Sequence, residues 1–388
     1  YVSAKNKKRK RNIIIRKNQW LNNYLDATKY KDIDLIVELI GGAEGPAKKL
    51  VFNALNNKKH VVTANKALIA KYGDQLAKIA EKNKVNLEFE ASVCGGVPII
   101  RSLKESLIAN KISKIYGIFN GTSNYILSSM DKQKKSFNDV LSNAKKLGYA
   151  ESNPSADLNG DDVSSKLKIL SSLCFSSFLN NNIYVEGIKN IDRVDIDNAN
   201  KLGYKIKLLG FAELLDNKFY QRVHPTLIKK ESYVASIDGV LNAVIVDGKP
   251  VGQSTIQGEG AGPAATTSAL VSDISSISRG NIKFPFSLSS KERKKLRFTD
   301  IEERFFSAYL RFEVLDKPGI LSNITRIFSK HKVSIKRLVQ NPDRNKKSSS
   351  IIIITHESKD KFLKKVLKEV SRKKYIKNNS KLIRIDNS

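Results

Sequence analysis

Residues 145–170 (KKLGYAESNPSADLNGDDVSSKLKIL) hold the densest set of side chains that could do chemistry. Glu151, Asp157, Asp161 and Asp162 crowd a loop that Pro154, Asn159 and Gly160 keep irregular, just after a glycine turn at Gly148. The residues that follow predict an amphipathic helix. Asp162 and Lys166 stand four apart on it, so both leave the same face. Asp161 or Asp162 is placed to cap or charge the helix start. An amine and several carboxylates converging at one helix entrance could bind a small zwitterion and move a proton. The same residues also fit a plainer role, a helix cap and a surface ion pair worth only tenths of a kcal/mol.

The elements that position this loop can be read on either side of it. YVSA at 1–4 reads as a short strand, followed by a basic stretch at 5–11. Residues 33–40 (IDLIVELI) are a near-continuous apolar run closed by Gly41 and Gly42, the pattern of a buried parallel strand, and a helix follows over 46–57. A short strand at 60–63, a helix over 66–82 and a strand over 85–91 come next. Strands alternating with helices predict a doubly wound sheet, which binds ligands at the carboxyl ends of its strands. Those ends carry ELIGG, VVTANK and FEASVCGGVP. A strand over 112–120 leads into NGTSNYILSSM, and a helix spans 137–147. From 204 to 256 the segments GYKIKLLGFAEL, KFYQRVHPTLI, VASIDGVLNAVIV and KPVGQSTIQ, separated by DN, DG and GKP turns, predict an antiparallel sheet. GEGAGPAATTSALVSDI (258–274) places glycines before a helix, and 280–295 reads as a linker. The last part runs strand, DKPG turn, amphipathic helix, a strand pair across NPDRNKKSSS, a helix over 359–371 and a final strand LIRI, a βαββαβ order.

The 388 residues suffice for two or three domains, and 40% hydrophobic content is that of a globular protein. A formal net charge of +31 invites a nucleic-acid or anionic-membrane reading. The basic residues are spread out, however, and do not alternate with exposed aromatics as a stacking platform requires. We therefore expect no nucleic-acid partner. Cys94 and Cys174 are too few for a disulfide framework, and His60, His224, His331 and His356 have no metal-ligand spacing. No apolar run reaches the roughly 18 residues of a membrane span, and no signal peptide is visible. We expect a cytoplasmic protein without a membrane partner.

GYAESNPSADLNGDDVSSK resembles the substrate-binding signature of homoserine dehydrogenases. ELIGG, VVTANK, EASVCGGVP, NGTSNYILSSM and GEGAGPAATT match the same family in the same order. The C-terminal βαββαβ pattern with its DKPG turn resembles an ACT domain. The resemblance implies an α/β chain: a Rossmann-like doubly wound nucleotide domain over 1–118, with 262–280 packing back onto it; an α+β substrate and dimerisation domain over 119–285; a linker over 286–304; and a ferredoxin-like ACT domain over 305–388. It implies the reversible, NAD(P)H-dependent reduction of L-aspartate 4-semialdehyde to L-homoserine, in a homodimer or homotetramer. ACT domains generally bind an amino acid, and threonine is the effector that pathway logic suggests.

The resemblance also assigns residues. Lys166 is the expected proton donor in reduction and acceptor in oxidation, and Lys66 supplies positive charge from the nicotinamide side. A lysine titrates near about 10.4 when unperturbed, so oxidation at moderate pH requires desolvation or a nearby cation. Glu151, Asp157 and Asp162 are expected on the amino-acid substrate. Ile40, Gly41, Thr63, Lys66, Gly148 and Gly262 are expected on the cofactor. Glu90, with main-chain oxygens of Val93, Gly95 and Val97, is expected to hold a monovalent cation, Na+ or K+. Lys5 and the basic residues after it stand where an acidic residue would bind the ribose hydroxyls of NAD, which favours the 2′-phosphate of NADP(H) while leaving NAD(H) possible. No GxGxxG precedes YVSA, and GGAEG at 41–45 has the wrong spacing. We expect that about 30 residues, one strand–loop–helix unit, precede Tyr1 and that YVSAK is the second strand. A catalytically inactive amino-acid sensor is the alternative expectation.

Overall fold

The computed structural model of the chain describes residues 1–179, 182–343, 348–377 and 380–386. These fall into two compact units, 1–119 with 165–181 and 242–296, and 120–164 with 182–241 and 297–388.

The first unit opens irregularly. The strand expected at 1–4 is a single bridge from Val2 to Trp20, because the basic turn that follows is held by Arg11, which donates to the carbonyls of Asn6, Lys7 and Arg9 and lies over the Trp20 ring. β1 (Leu35–Glu38), α1 (Pro46–Asn56), β2 (His60–Thr63), α2 (Lys66–Asn83) and β3 (Leu87–Glu88) then alternate. The three strands pair in parallel in the order β1-β2-β3. Ala47, Leu50, Val51, Ala54 and Leu55 recur at helical spacing and are buried, as are Leu68, Ile69, Leu76, Ala77 and Ala80 of α2. A short helix α3 (Ile99–Arg101) precedes β4 (Lys111–Ile118).

In the second unit α4 (Gly121–Gln133), α5 (Phe137–Lys146) and α6 (Ser155–Asn159) lead to α7 (Asp161–Cys174), which continues into the first unit. The amphipathic helix expected after Gly160 ends at Cys174, and Ser176 just beyond it adopts a left-handed conformation. β5 (Tyr184–Val185), α8 (Arg193–Lys201), β6 (Tyr204–Leu215) and β7 (Lys218–Lys229) follow, β6 and β7 forming a long antiparallel hairpin. In the segment VASIDGVLNAVIV, expected to be strand on either side of its DG turn, Val234–Ser236 belong instead to a helical turn, α9 (Tyr233–Ser236).

Back in the first unit, β8 (Leu241–Lys249) runs antiparallel to β4 and neighbours β9 (Gly252–Glu259); α10 (Pro263–Ser278) comes next. Arg293 is 4% exposed and donates to Asp74, Ser172 and the Ser177 carbonyl.

The C-terminal part of the second unit has β10 (Phe305–Leu315), α11 (Ile320–Lys330), β11 (Ile335–Asp343), β12 (Ser348–Thr355), β13 (Ser358–Lys359), α12 (Asp360–Ser371) and β14 (Lys381–Asp386). The order β11-β12-β10-β14 is the ferredoxin-like arrangement, and β14 pairs in parallel with β7. The turn expected between β11 and β12 lies partly outside the described residues. Gly319, at φ +85°, ends the DKPG turn in a left-handed conformation that suits glycine and starts α11. Ile324, Phe328, Leu363 and Val366 pack with Leu310, Phe312, Ile351 and Ile353. Among the described residues no helix is long and apolar enough to cross a membrane.

Candidate active site

In the second unit the carboxylates gather on one amide. Asn120 ends the segment after β4, and its Oδ1 accepts the Ser123 N–H at 2.7 Å, capping α4. Its Nδ2 donates to Asp157 Oδ1 at 2.7 Å and to Asp162 Oδ2 at 2.8 Å. α6 presents Asp157 and the first turn of α7 presents Asp162, which is buried, 6% exposed. Both donations are to ionisable acceptors, which makes them stronger than neutral amide contacts. Gly160, at φ +89°, makes the break between the two helices. A Cβ there would come 3.1 Å from the Val185 side chain. Glu151 and Gly148 lie exposed in the loop before α6, and Asp161, also exposed, is not in a loop but is the first residue of α7.

Lys166 is one turn further along α7. It is 9% exposed, and its Nζ donates to the carbonyl oxygen of Phe119 at 2.7 Å. Phe119 and Asn120 are neighbours in sequence, so one peptide segment carries the acceptor for Lys166 and the donor to Asp157 and Asp162. A buried primary amine can exchange a proton, and in the second unit two carboxylates sharing one amide donor can bind a cationic group.

In the first unit the ends of β1 and β2 form a second cluster. Gly41 and Gly42 adopt φ +83° and +80°, so the chain turns sharply after Ile40, whose side chain is half exposed. Thr63 is fully buried, and Lys66 is the first residue of α2, directly after its cap Asn65. The structure thus brings Ile40, Gly41, Thr63 and Lys66 to the carboxyl ends of two adjacent parallel strands, where such sheets bind ligands. A cleft of about 1390 Å3 borders this sheet edge, lined by Ser3, Lys5, Arg9 and Arg11 as well as Val37 and Ile40.

The 90–97 loop lies behind the 258–262 loop in the same unit. Gly96 N–H donates to the Glu259 carbonyl at 2.9 Å, and a Cβ on Gly95 would sit 2.9 Å from the Gly260 oxygen. Gly262 follows at the start of α10, with φ +114°. Glu90 is 3% exposed; its two oxygens accept the N–H groups of Ile100 and Arg101 at 2.9 and 2.7 Å. Burial pushes its carboxyl up to about 7 against those bonds. Each oxygen keeps one further acceptor position, and left-handed Cys94 and Gly95 bend the chain between Val93 and Val97. A buried carboxylate with spare acceptor capacity, beside a sharply bent run of carbonyls, fits a monovalent cation.

The remaining candidate groups are structural. His224 is buried, stacked on Phe211, and burial holds its imidazole well below the usual range. Burial raises the Cys174 thiol far above the usual thiol range. Among the described residues no three His, Cys, Asp or Glu side chains converge on a metal position. Sequence reasoning missed Asn120 and Glu38. Asn120 opens NGTSN, and an amide before a helix signals a cap, but nothing local marks its second arm.

Comparison with known proteins identifies the family. Residues 2–90 match the family model "Homoserine dehydrogenase, NAD binding domain", residues 98–275 the model "Homoserine dehydrogenase", and residues 308–373 the model "ACT domain". The chain is 42% identical over 344 residues to a homoserine dehydrogenase of Neisseria gonorrhoeae, covering 87% of this chain and 79% of that protein. Its fold is similar to the crystal structure of a homoserine dehydrogenase from Thiobacillus denitrificans, with a TM-score of 0.89 at 39% identity over 95% of this chain and 85% of the other. It is also similar to a hyperthermophilic archaeal homoserine dehydrogenase in complex with NADPH, with a TM-score of 0.60 at 26% identity over 68% of this chain and 76% of that one.

Proposed function

The chain belongs to the homoserine dehydrogenase family, an oxidoreductase acting on a CH–OH group, and we propose that Lys166 is its proton-transfer residue in the NADP(H)-linked reduction of L-aspartate 4-semialdehyde to L-homoserine. The observation that carries this reading is the Phe119–Asn120 segment, which holds a buried amine by one residue and two carboxylates by the next.

A bound nicotinamide dinucleotide would supply the hydride chemistry. In reduction Lys166 gives its proton to the aldehyde oxygen, completing the CH–OH group. In oxidation it removes that proton. Glu151 and Asp162 bind the substrate's amino and hydroxyl ends, with Asp157 supporting them. Ile40, Gly41, Thr63, Gly148 and Gly262 line the cofactor, with Lys66 adding positive charge near the nicotinamide. Glu90 and the carbonyls of Val93, Gly95 and Val97 would hold a Na+ or K+ ion, which would stiffen the loop behind Gly260. The division into a nucleotide domain over 1–118, a catalytic and dimerisation domain over 119–285 and an ACT domain over 305–388 is supported by the three family matches. The ACT part takes an amino-acid effector, threonine being the first to test, in a cytoplasmic homodimer or homotetramer.

Preference for NADP(H) is supported by the basic turn at 5–11. Arg11 is occupied in shaping that turn, while Lys5 and Arg9 line the cleft beside it. One assay tests these points: homoserine-dependent reduction of NADP and of NAD, with K+ or with a bulky organic cation, and with or without threonine. Faster NADP reduction, a requirement for the small cation and inhibition by threonine are expected. Equal rates with both dinucleotides would remove the phosphate preference. Arg9→Ser should raise the KM for NADP about tenfold, the loss of one charge-assisted contact, and leave that for NAD within about twofold. An equal change for both dinucleotides would take Arg9 off the 2′-phosphate.

A further inference from the structure

Glu38 is a fully buried carboxylate at the carboxyl end of β1. Its Oε1 accepts the N–H groups of Ile40 and Gly41 at 2.7 and 2.9 Å, and its Oε2 accepts the Thr63 hydroxyl at 2.6 Å. The Thr63 oxygen in turn accepts the Asn65 N–H at 2.9 Å. Asn65 closes the circuit, since its Nδ2 donates to the Gly42 carbonyl at 2.8 Å while its Oδ1 caps α2 at Leu68 N–H. The ring Glu38–Gly41–Gly42–Asn65–Thr63 therefore ties the turn after β1 to the turn after β2. Neither turn belongs to regular structure, and the left-handed glycines leave the first free to adopt other conformations.

We infer that Glu38 is a positioning residue, which locks the 40–42 turn and the start of α2 into the one arrangement that receives the nicotinamide dinucleotide. This rests on the reading that Ile40, Gly41 and Lys66 face that cofactor. The chemistry suits the task. Inward-facing N–H groups of Ile40 and Gly41 are consumed by the carboxylate, so the outer face of the turn and the Ile40 side chain are what a ligand meets. A carboxylate is the side chain that can accept three donors from two different loops at once. The capped Asn65 sets where Lys66 begins α2, so a shift in the first turn is passed to the lysine.

The test uses the full chain and measures NADPH binding by fluorescence, steady-state KM and kcat, and thermal melting. Glu38→Gln keeps the size and one carbonyl acceptor but turns an N–H toward the Thr63 hydroxyl. It should weaken NADPH binding and raise the KM for the dinucleotide by about tenfold, with kcat at saturation and the KM for homoserine within about threefold and melting nearly unchanged. Asn65→Asp, which keeps the oxygen that caps α2 but removes the donor to the Gly42 carbonyl, opens the same circuit from the other side and should do likewise, and the double variant should lose little more than either alone. Unchanged NADPH affinity in Glu38→Gln, or strictly additive losses in the double variant, would overturn the inference. Should Glu38→Gln not fold, Asn65→Asp decides by the same readout. Failure of the unaltered chain to bind NADPH would sink the cofactor-side reading itself, and the role of Glu38 with it, before any variant is compared.

Discussion

Lys166→Met should lower kcat in both directions by about 10²–10⁴-fold, the usual contribution of a positioned acid–base group, while the NADPH dissociation constant stays within about twofold. Methionine keeps the unbranched stem that fills a position only 9% exposed, so the loss falls on the amine and its interactions, the bond to the Phe119 carbonyl among them. Lys166→Ala should lose the same turnover and some stability besides, because it also leaves a cavity. The two variants separate chemistry from packing: equal kcat losses with unequal melting temperatures identify the amine as the proton carrier. Single-turnover hydride transfer is the measurement that checks it, since it isolates the chemical step from product release. Near-normal transfer in Lys166→Met would assign the proton to another group and leave Lys166 as a buried brace.

Asn120→Asp should lower kcat/KM for homoserine by about 100-fold near neutral pH, although it is nearly the same size and keeps an oxygen to cap α4. The native Nδ2 donates to Asp157 and Asp162 together. The variant replaces two charge-assisted bonds, each worth about 1.5–3 kcal/mol, with a third carboxylate facing two others, and partial rearrangement returns some of that sum. About 2.7 kcal/mol of lost transition-state binding is the 100-fold expected. Because the cap to Ser123 survives, melting should fall less in Asn120→Asp than in Asn120→Ala, while activity falls more. That reversed order is the signature of a residue that places carboxylates. If activity followed melting temperature instead, Asn120 would be a helix cap and nothing else.

Neither Asn120 nor Glu38 stands out in the sequence, and the reason is distance along the chain. The partners of Asn120 lie 37 and 42 residues away, and Thr63 lies 25 residues from Glu38. Such bonds join loops whose ends come together only when the strands pair, so periodicity and local spacing carry no trace of them. The local signal for Asn120, an amide before an apolar helix, was correct for its Oδ1 and silent about its Nδ2. Similarly, Lys166 was legible as a helix residue one turn after Asp162, but its burial and its acceptor on Phe119 depend on a strand 47 residues earlier in the chain.

Other differences have local causes. YVSA has strand-like composition, yet it makes one bridge because the Arg11-held turn at once redirects the chain onto Trp20. Val234–Ser236 are apolar enough for a strand, but Ser232 and the turn before Gly239 close them into a helical turn. These short segments have too few residues for a period to decide between helix and strand.

Legible in the residues alone are the alternating β1-to-β3 unit, the βαββαβ order at the C-terminus, the amphipathic face of α11, and the identity of the segment rich in carboxylates. Each of those is a matter of hydrophobic period, turn residues and composition, which act within a few residues. Tertiary structure alone decided which carboxylates share a donor, which amine is buried, and how the turns after β1 and β2 are tied into one circuit. Those outcomes depend on hydrogen bonds between groups far apart in the chain, and such bonds exist only once the packed strands and helices have excluded water from between them.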